Sequence, residues 1–180
     1  MTIPSPNQLP RRLAILKKLT EHLQGITPGN GYAYDLSASV FRGKSVYAPD
    51  SSPLPMLSIL ESGRPDSGVF AGSGKHAYSE TWDILLQGFA ENDQANPTDP
   101  AYFLCAAVQE RLVSIIEFNP RTGQGVDPVA YRLGGLITDL LIGPSVVRPP
   151  DNQVSSTAFF YLPLRAVFQT DNTQPYVTVE

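Results

Sequence analysis

The sequence predicts an α+β fold, a mostly antiparallel sheet packed against two main helices in a single domain over residues 1–180. Three observations lead there. Two stretches carry helical periodicity, Leu9 to Ile26 and Ala101 to Phe118. Between and after them lie apolar or alternating runs of strand length, notably Met56 to Glu61 and His76 to Gln87. Last, two alternating runs, Gly135 to Ile142 and Ala158 to Phe168, flank a ten-residue stretch from Gly143 to Asn152 that reads as the long loop of a β-hairpin. A chain of 180 residues can bury one well-packed core without covalent staples.

Taken in order, Leu9, Leu13, Leu16, Leu19, Leu23 and Ile26 recur at three- and four-residue steps, so they share one helix stripe, with Arg11, Arg12, Lys17 and Lys18 largely displaced from it. Asn7 is the expected cap and Pro10 sits in the first turn, where its missing N–H has no helical partner. Gly25 is expected to close the helix in a left-handed conformation. A strand follows from Ser39 to Tyr47, interrupted at Gly43 by a bulge. Met56 to Glu61 reads as a short buried strand, and Ser62 to Gly74 as a flexible loop. His76 to Gln87 alternates over the length of a long strand, apolar on both faces in its second half and therefore central. Asp99 is expected to cap the second helix with Pro100 at its first position, and Ala101, Leu104, Cys105, Val108, Leu112 and Ile115 form its apolar stripe through Phe118. Asn119 to Asp127 is turn-rich, and Asp171 to Glu180 reads as a mobile tail or an arm that orders on a partner.

In the hairpin, Pro163 removes a ladder donor and points to an edge or a bulge. Alternation buries one set of Phe159, Phe160, Tyr161 and Phe168 and leaves the other as a candidate interface. Prolines at 144, 149 and 150 stiffen the connection and hold Arg148 and Asp151 away from the sheet. A stiff, projecting loop suits contact with something large.

Composition narrows the function. Thirteen Lys and Arg against 17 Asp and Glu give a net charge of -4, which does not gather phosphate backbones as a basic nucleic-acid binder does. The single cysteine, Cys105, cannot form an internal disulfide, and no apolar run approaches the ~20 residues that span a bilayer. With a polar, proline-rich start and no signal-peptide core, the chain is expected to be made in a reducing cytoplasm.

No chemical motif stands up. Gly72-Ser73-Gly74-Lys75 resembles a phosphate loop only superficially, since Val69 stands where the first glycine belongs, His76 follows Lys75, and a strand comes next. Gly29-Asn30-Gly31 follows a helix and lacks the third glycine of a dinucleotide site. His22 lies among Lys18, Glu21 and Gln24 and reads as a solvated or boundary residue. His76 and Glu80 are four apart on a strand, too far for direct pairing. Cys105 on an apolar stripe reads as an inert core thiol, and Asp139 as a charge that discourages aberrant edge pairing. No metal-ligand spacing occurs, and neither cofactor nor catalytic residue is expected.

Val40-Phe41-Arg42-Gly43, Leu54-Pro55-Met56-Leu57-Ser58-Ile59-Leu60-Glu61, Leu133-Gly134-Gly135-Leu136-Ile137-Thr138-Asp139-Leu140, and Ile142-Gly143-Pro144 through Val147-Arg148-Pro149-Pro150-Asp151 resemble, in order and spacing, the tail terminator (tail completion) proteins of long-tailed bacteriophages. The resemblance covers most of the chain. It implies a small protomer that forms a homohexameric ring on the head-proximal end of the tail tube, stops tube growth and offers a joining surface to the neck or head-completion protein. Genome DNA would pass through the ring without sequence-specific binding, the location would be the virion, and no membrane would be involved. The candidate protein-interface residues are Arg42, Arg64, Lys75, Tyr131, Arg132, Arg148, Pro149, Pro150, Asp151 and Arg165. Another head–tail connector shares nearly all these features, and a small hydrolase or ligand-binding domain is the alternative from a different class.

Overall fold

A computed structural model describes residues 7–47, 53–61, 74–151 and 154–178. The elements run β1 (Gln8–Pro10), α1 (Arg11–Gln24), β2 (Val40–Arg42), β3 (Met56–Glu61), β4 (Ala77–Phe89), α2 (Asp99–Ile116), β5 (Asp139–Ile142), β6 (Val146–Arg148), β7 (Phe159–Asp171) and β8 (Tyr176–Thr178). The main sheet has the order β2-β3-β4-β7-β5, with β6 also on β7. Every pairing in it is antiparallel except β2 with β3. This is the expected α+β class, mostly antiparallel and packed with two main helices.

At the centre, β4 and β7 are each 13 residues long and pair along their whole length, from Ala77 with Asp171 to Phe89 with Phe159. Even-numbered residues of both strands face the helices. Trp82, Ile84 and Leu86 of β4 meet Phe160, Leu162, Leu164, Ala166 and Phe168 of β7 in the main core. Gly88 lies directly opposite Phe160, and its missing side chain makes the room that the Phe160 ring occupies. The α2 stripe of Ala101, Leu104, Cys105, Val108, Leu112 and Ile115 is buried as expected. Burying each larger member contributes about 1.5–3 kcal/mol. Phe118 is half exposed, because the helix has already ended at Ile116.

The opposite face of the sheet is only partly covered. Met56, Phe89 and Phe159 are buried there beneath Phe41, Tyr47, Leu54, Val154 and Tyr161. The second aromatic set of β7 is therefore a small core of its own and not an open interface. Farther along the same face, Arg165 forks onto Asp83, its direct cross-strand partner, at 2.7 and 3.3 Å.

Several expectations are corrected by long-range pairing. β1 pairs antiparallel with β8, and the Arg11 amide donates to Pro175 O, so residues 8–10 satisfy their backbone groups in a small sheet before the helix starts. Pro10 is the N-cap in place of Asn7, Leu9 lies outside the helix, and Leu13 is turned partly to solvent while Ala14 and Ile15 are buried. The chain after Asp171 accordingly folds back through β8 and is not a tail up to Thr178. Gly25 is right-handed, with φ -72° and ψ -3°. A side chain there would run into the Arg111 guanidinium, so close approach explains this glycine. β2 ends at Arg42; the Gly43 amide still donates to Ile59 O, and its φ of 77° then turns the chain out of the strand. Thr98, one residue before the expected Asp99, is the α2 N-cap.

The hairpin connection is also more structured than its prolines suggest. β5 and β6 lie on the same edge of β7, against Leu164 to Val167 and Phe159 to Tyr161 respectively. Between them the chain bulges at Gly143, whose amide donates to Pro163 O at 2.8 Å. Pro163 thus directs its missing donor at the bulge, in an interior strand. Arg148 belongs to β6 and does not project from a loop.

Candidate functional site

The clearest concavity lies between α1, α2 and residues 127–136. It begins with a helix-to-helix clamp. His22 falls on the buried side of α1, three residues after Leu19, and its Nε2 is 2.8 Å from Arg111 O and 3.1 Å from Ser114 Oγ. A carbonyl only accepts, so Nε2 carries the proton. Arg111 returns the bond through Nε to His22 O at 2.9 Å. Burial pushes the His22 imidazole below its ordinary pKa, opposed by the hydrogen bond to Arg111 O. The expected solvated histidine is a structural tie, its backbone and ring each bound to one residue of α2.

The far wall is shaped by an unusual turn. Arg132, Leu133, Gly134 and Gly135 have φ of 52°, 52°, 68° and 84°, a run of left-handed residues of which two carry side chains. Each such residue costs roughly 1–2 kcal/mol. The surroundings hold it in place. Asp127 Oδ1 accepts the amides of Val129 and Ala130, the Tyr131 amide donates to Asp127 O, and Tyr131 packs against Gly125, where any side chain would collide with it. Leu133 is thereby driven into the core. The resulting cleft has a volume of about 520 Å³ and is walled by Arg111, Ala130, Leu133 and Leu136, with Lys18, Glu21 and Asp127 at its polar side.

The candidate residues do not gather into one patch. Arg42 is exposed at the end of β2, one margin of the sheet, and Arg148 on β6 at the other. Four strand spacings, roughly 19 Å, lie between those margins. Pro149 and Pro150 follow Arg148 at the surface, and Asp151 is tied back to Ser155 by paired backbone bonds of 2.8 Å. Arg165 is engaged with Asp83 on the open sheet face. Lys75 is exposed just before β4, and Tyr131 and Arg132 open the left-handed turn, with the Arg132 guanidinium over the Tyr131 ring. Arg64, the segment from Ser62 to Ser73 and Met1 to Pro6 lie outside the described residues.

Of the remaining titratable groups, His76 is exposed, and Glu80 is taken by Arg12 and by Thr170 Oγ1. Cys105 is buried, and burial pushes its thiol away from thiolate. Asp139 is exposed on β5, with Oδ1 accepting the Leu140 amide. Among the described residues no three His, Cys, Asp or Glu side chains could share a metal ion, and no helix is long and apolar enough to cross a membrane.

Sequence reading missed Arg111, Ser114 and Asp127, and missed Tyr102 and Phe103, which are 60% and 68% exposed at the start of α2. One signal was present. His22 continues the Ile15, Leu19 spacing, which places a polar ring on a buried stripe that needs a partner. No family model matches this chain, and no curated protein matches it.

Proposed function

We propose that this protein is a structural virion component that closes a ring on the head-proximal end of a phage tail tube, ends tube polymerisation and presents the joining surface for the capsid neck. The observation that carries the reading, together with the sequence resemblance, is the separation of Arg42 and Arg148 at opposite margins of one sheet whose outer strands, β2 and β5 with β6, have no further strand beside them among the described residues. Head-to-tail contacts around a closed ring need two different patches on each protomer. Two distinct margins supply such a pair, with backbone groups available along each.

The polar groups around the cleft favour this reading over a hydrolase. His22 and Ser114 are spent on Arg111, Asp127 on the turn amides and Glu21 on Lys18 at 3.1 Å, so no pair is left as nucleophile and base. The net charge of -4 suits a channel through which DNA slides without being retained. Another connector protein of the neck is the nearest alternative. Negative-stain microscopy of the purified protein mixed with tubes assembled from the cognate tube protein distinguishes them. Rings seated at one tube end are expected. Tubes that keep growing, with the protein bound only to portal-side components, would replace termination with a neck role.

A further inference from the structure

Resting on the ring reading, we propose that Tyr102 and Phe103 of one protomer seat in the cleft beside Arg111 of the next copy, and that this knob and socket anchor a repeating contact to which the sheet margins also contribute. The knob is two adjacent aromatics in the first turns of α2, 60% and 68% exposed. Exposed aromatics side by side form the kind of anchor that dominates protein interfaces. Phe103 also borders a shallow groove with Tyr34 and Pro55, whose charged lining is Asp35, Glu91 and Asp93, without a cation.

The socket has the complementary needs. Its apolar walls are Ala130, Leu133 and Leu136, and Val129 stands at the rim with 83% of its surface exposed. Of its two acids, Glu21 is paired with Lys18 and Asp127 is engaged by the turn amides. Arg111 has no carboxylate within ion-pair distance among the described residues, while its Nε is fixed by His22 O and its outer nitrogen is crowded over Gly25. A pre-aimed guanidinium of this kind takes an aromatic face or a carboxylate. The knob brings the ring, and the groove beside it brings the acids.

Knob and socket sit on the same helix but cannot meet within one chain. Phe103 and Arg111 are eight residues apart, roughly 12 Å along the axis. Because the two halves differ, each protomer keeps one of each unfilled, and the contact repeats head to tail until it closes.

Single variants Ala106→Cys, exposed one turn past Phe103, and Val129→Cys test this, with buried Cys105 as a silent background. Treated with a short bis-maleimide, neither variant alone should cross-link, an equal mixture should give the mixed dimer, and the double variant a ladder that ends at the ring size. Phe103→Ser should weaken self-association at least tenfold without lowering the melting temperature. An Ala106→Cys dimer as abundant as the mixed one would make the contact isologous and overturn the proposal. Rings imaged at tube ends by protein that gives no mixed cross-link would overturn this contact and leave the ring reading standing. Monomers at every concentration, with and without tubes, would end both.

Discussion

His22 carries a pH dependence whose sign follows from burial. Its folded pKa lies below the unfolded value of about 6.5, so the unfolded chain binds more protons in that range. The tie to Arg111 is intact above pH 6.5, and its contribution falls as pH drops below that value toward the lower folded pKa. Melting temperature should decline from pH 7.5 to 5.5, and His22→Gln should start lower but follow a flatter curve. Identical slopes in the two proteins would show that His22 does not couple protonation to folding. Gly88 provides a second residue-scale expectation. Gly88→Ala presses a methyl group into the Phe160 ring within the main core, and overpacking of this kind costs about 1–3 kcal/mol, measurable by urea denaturation. Arg132→Asn acts in the other direction. Asparagine tolerates a left-handed backbone better than arginine, so the variant should gain up to about 1 kcal/mol provided the Arg132 contact with Tyr131 is weak. The same residues show what local sequence conveys. The stripe from Ala101 to Ile115 and the strand from Met56 to Glu61 were fully legible, since both depend on period and apolarity alone. Arg111 was not, because its role depends on a carbonyl 89 positions away in sequence.

Among the elements, the ends of the chain illustrate the same limit. Residues 171–178 look like a polar tail until β1 supplies three facing residues, Gln8, Leu9 and Pro10. That pairing also moves the start of α1, since Pro10 is held extended and Arg11 is bound to Pro175 O. Nothing local to either segment announces the other. Cross-strand pairs contribute roughly 0.2–1 kcal/mol each, so truncation after Thr173 should cost about 1–3 kcal/mol by denaturant unfolding, where a true tail would cost nothing. The β5 to β6 edge behaves differently. Its prolines were legible as a break, but the bulge at Gly143 lets the strand resume along β7, which prolines alone do not forecast. Replacing Pro149 and Pro150 together by glycine leaves every strand residue in place and adds freedom worth about 0.4–1 kcal/mol per site. If this margin joins protomers, assembly should weaken by roughly five- to thirty-fold while the melting temperature falls by only about 2–8 °C, and Arg148→Glu should weaken assembly further where an acidic partner faces it. Sedimentation velocity across concentration reads both.

For the whole molecule, the main core and the small aromatic cluster share β3, β4 and β7, one on each face. Trp82, the single tryptophan, is 4% exposed and meets Phe168 edge-on at 6.1 Å. Its fluorescence therefore reports on the β4 to β7 pairing that both clusters need. Urea transitions followed by Trp82 fluorescence and by far-ultraviolet circular dichroism should coincide, and separated midpoints would mean that the two faces unfold independently.

The full-length ladder between β4 and β7 also fixes an order of events during synthesis. Roughly 70 residues separate the end of β4 at Phe89 from the start of β7 at Phe159. At about 5–20 residues per second, a ribosome takes about 4–14 s to bridge that gap. Throughout it, β4 can pair with β3 on one side while its other side, from Ala77 to Phe89, waits for a strand not yet made. Release of the nascent chain before Asp171 would leave a 13-residue sticky edge uncovered, and overexpression that outruns folding should lose this protein to inclusion bodies at that stage.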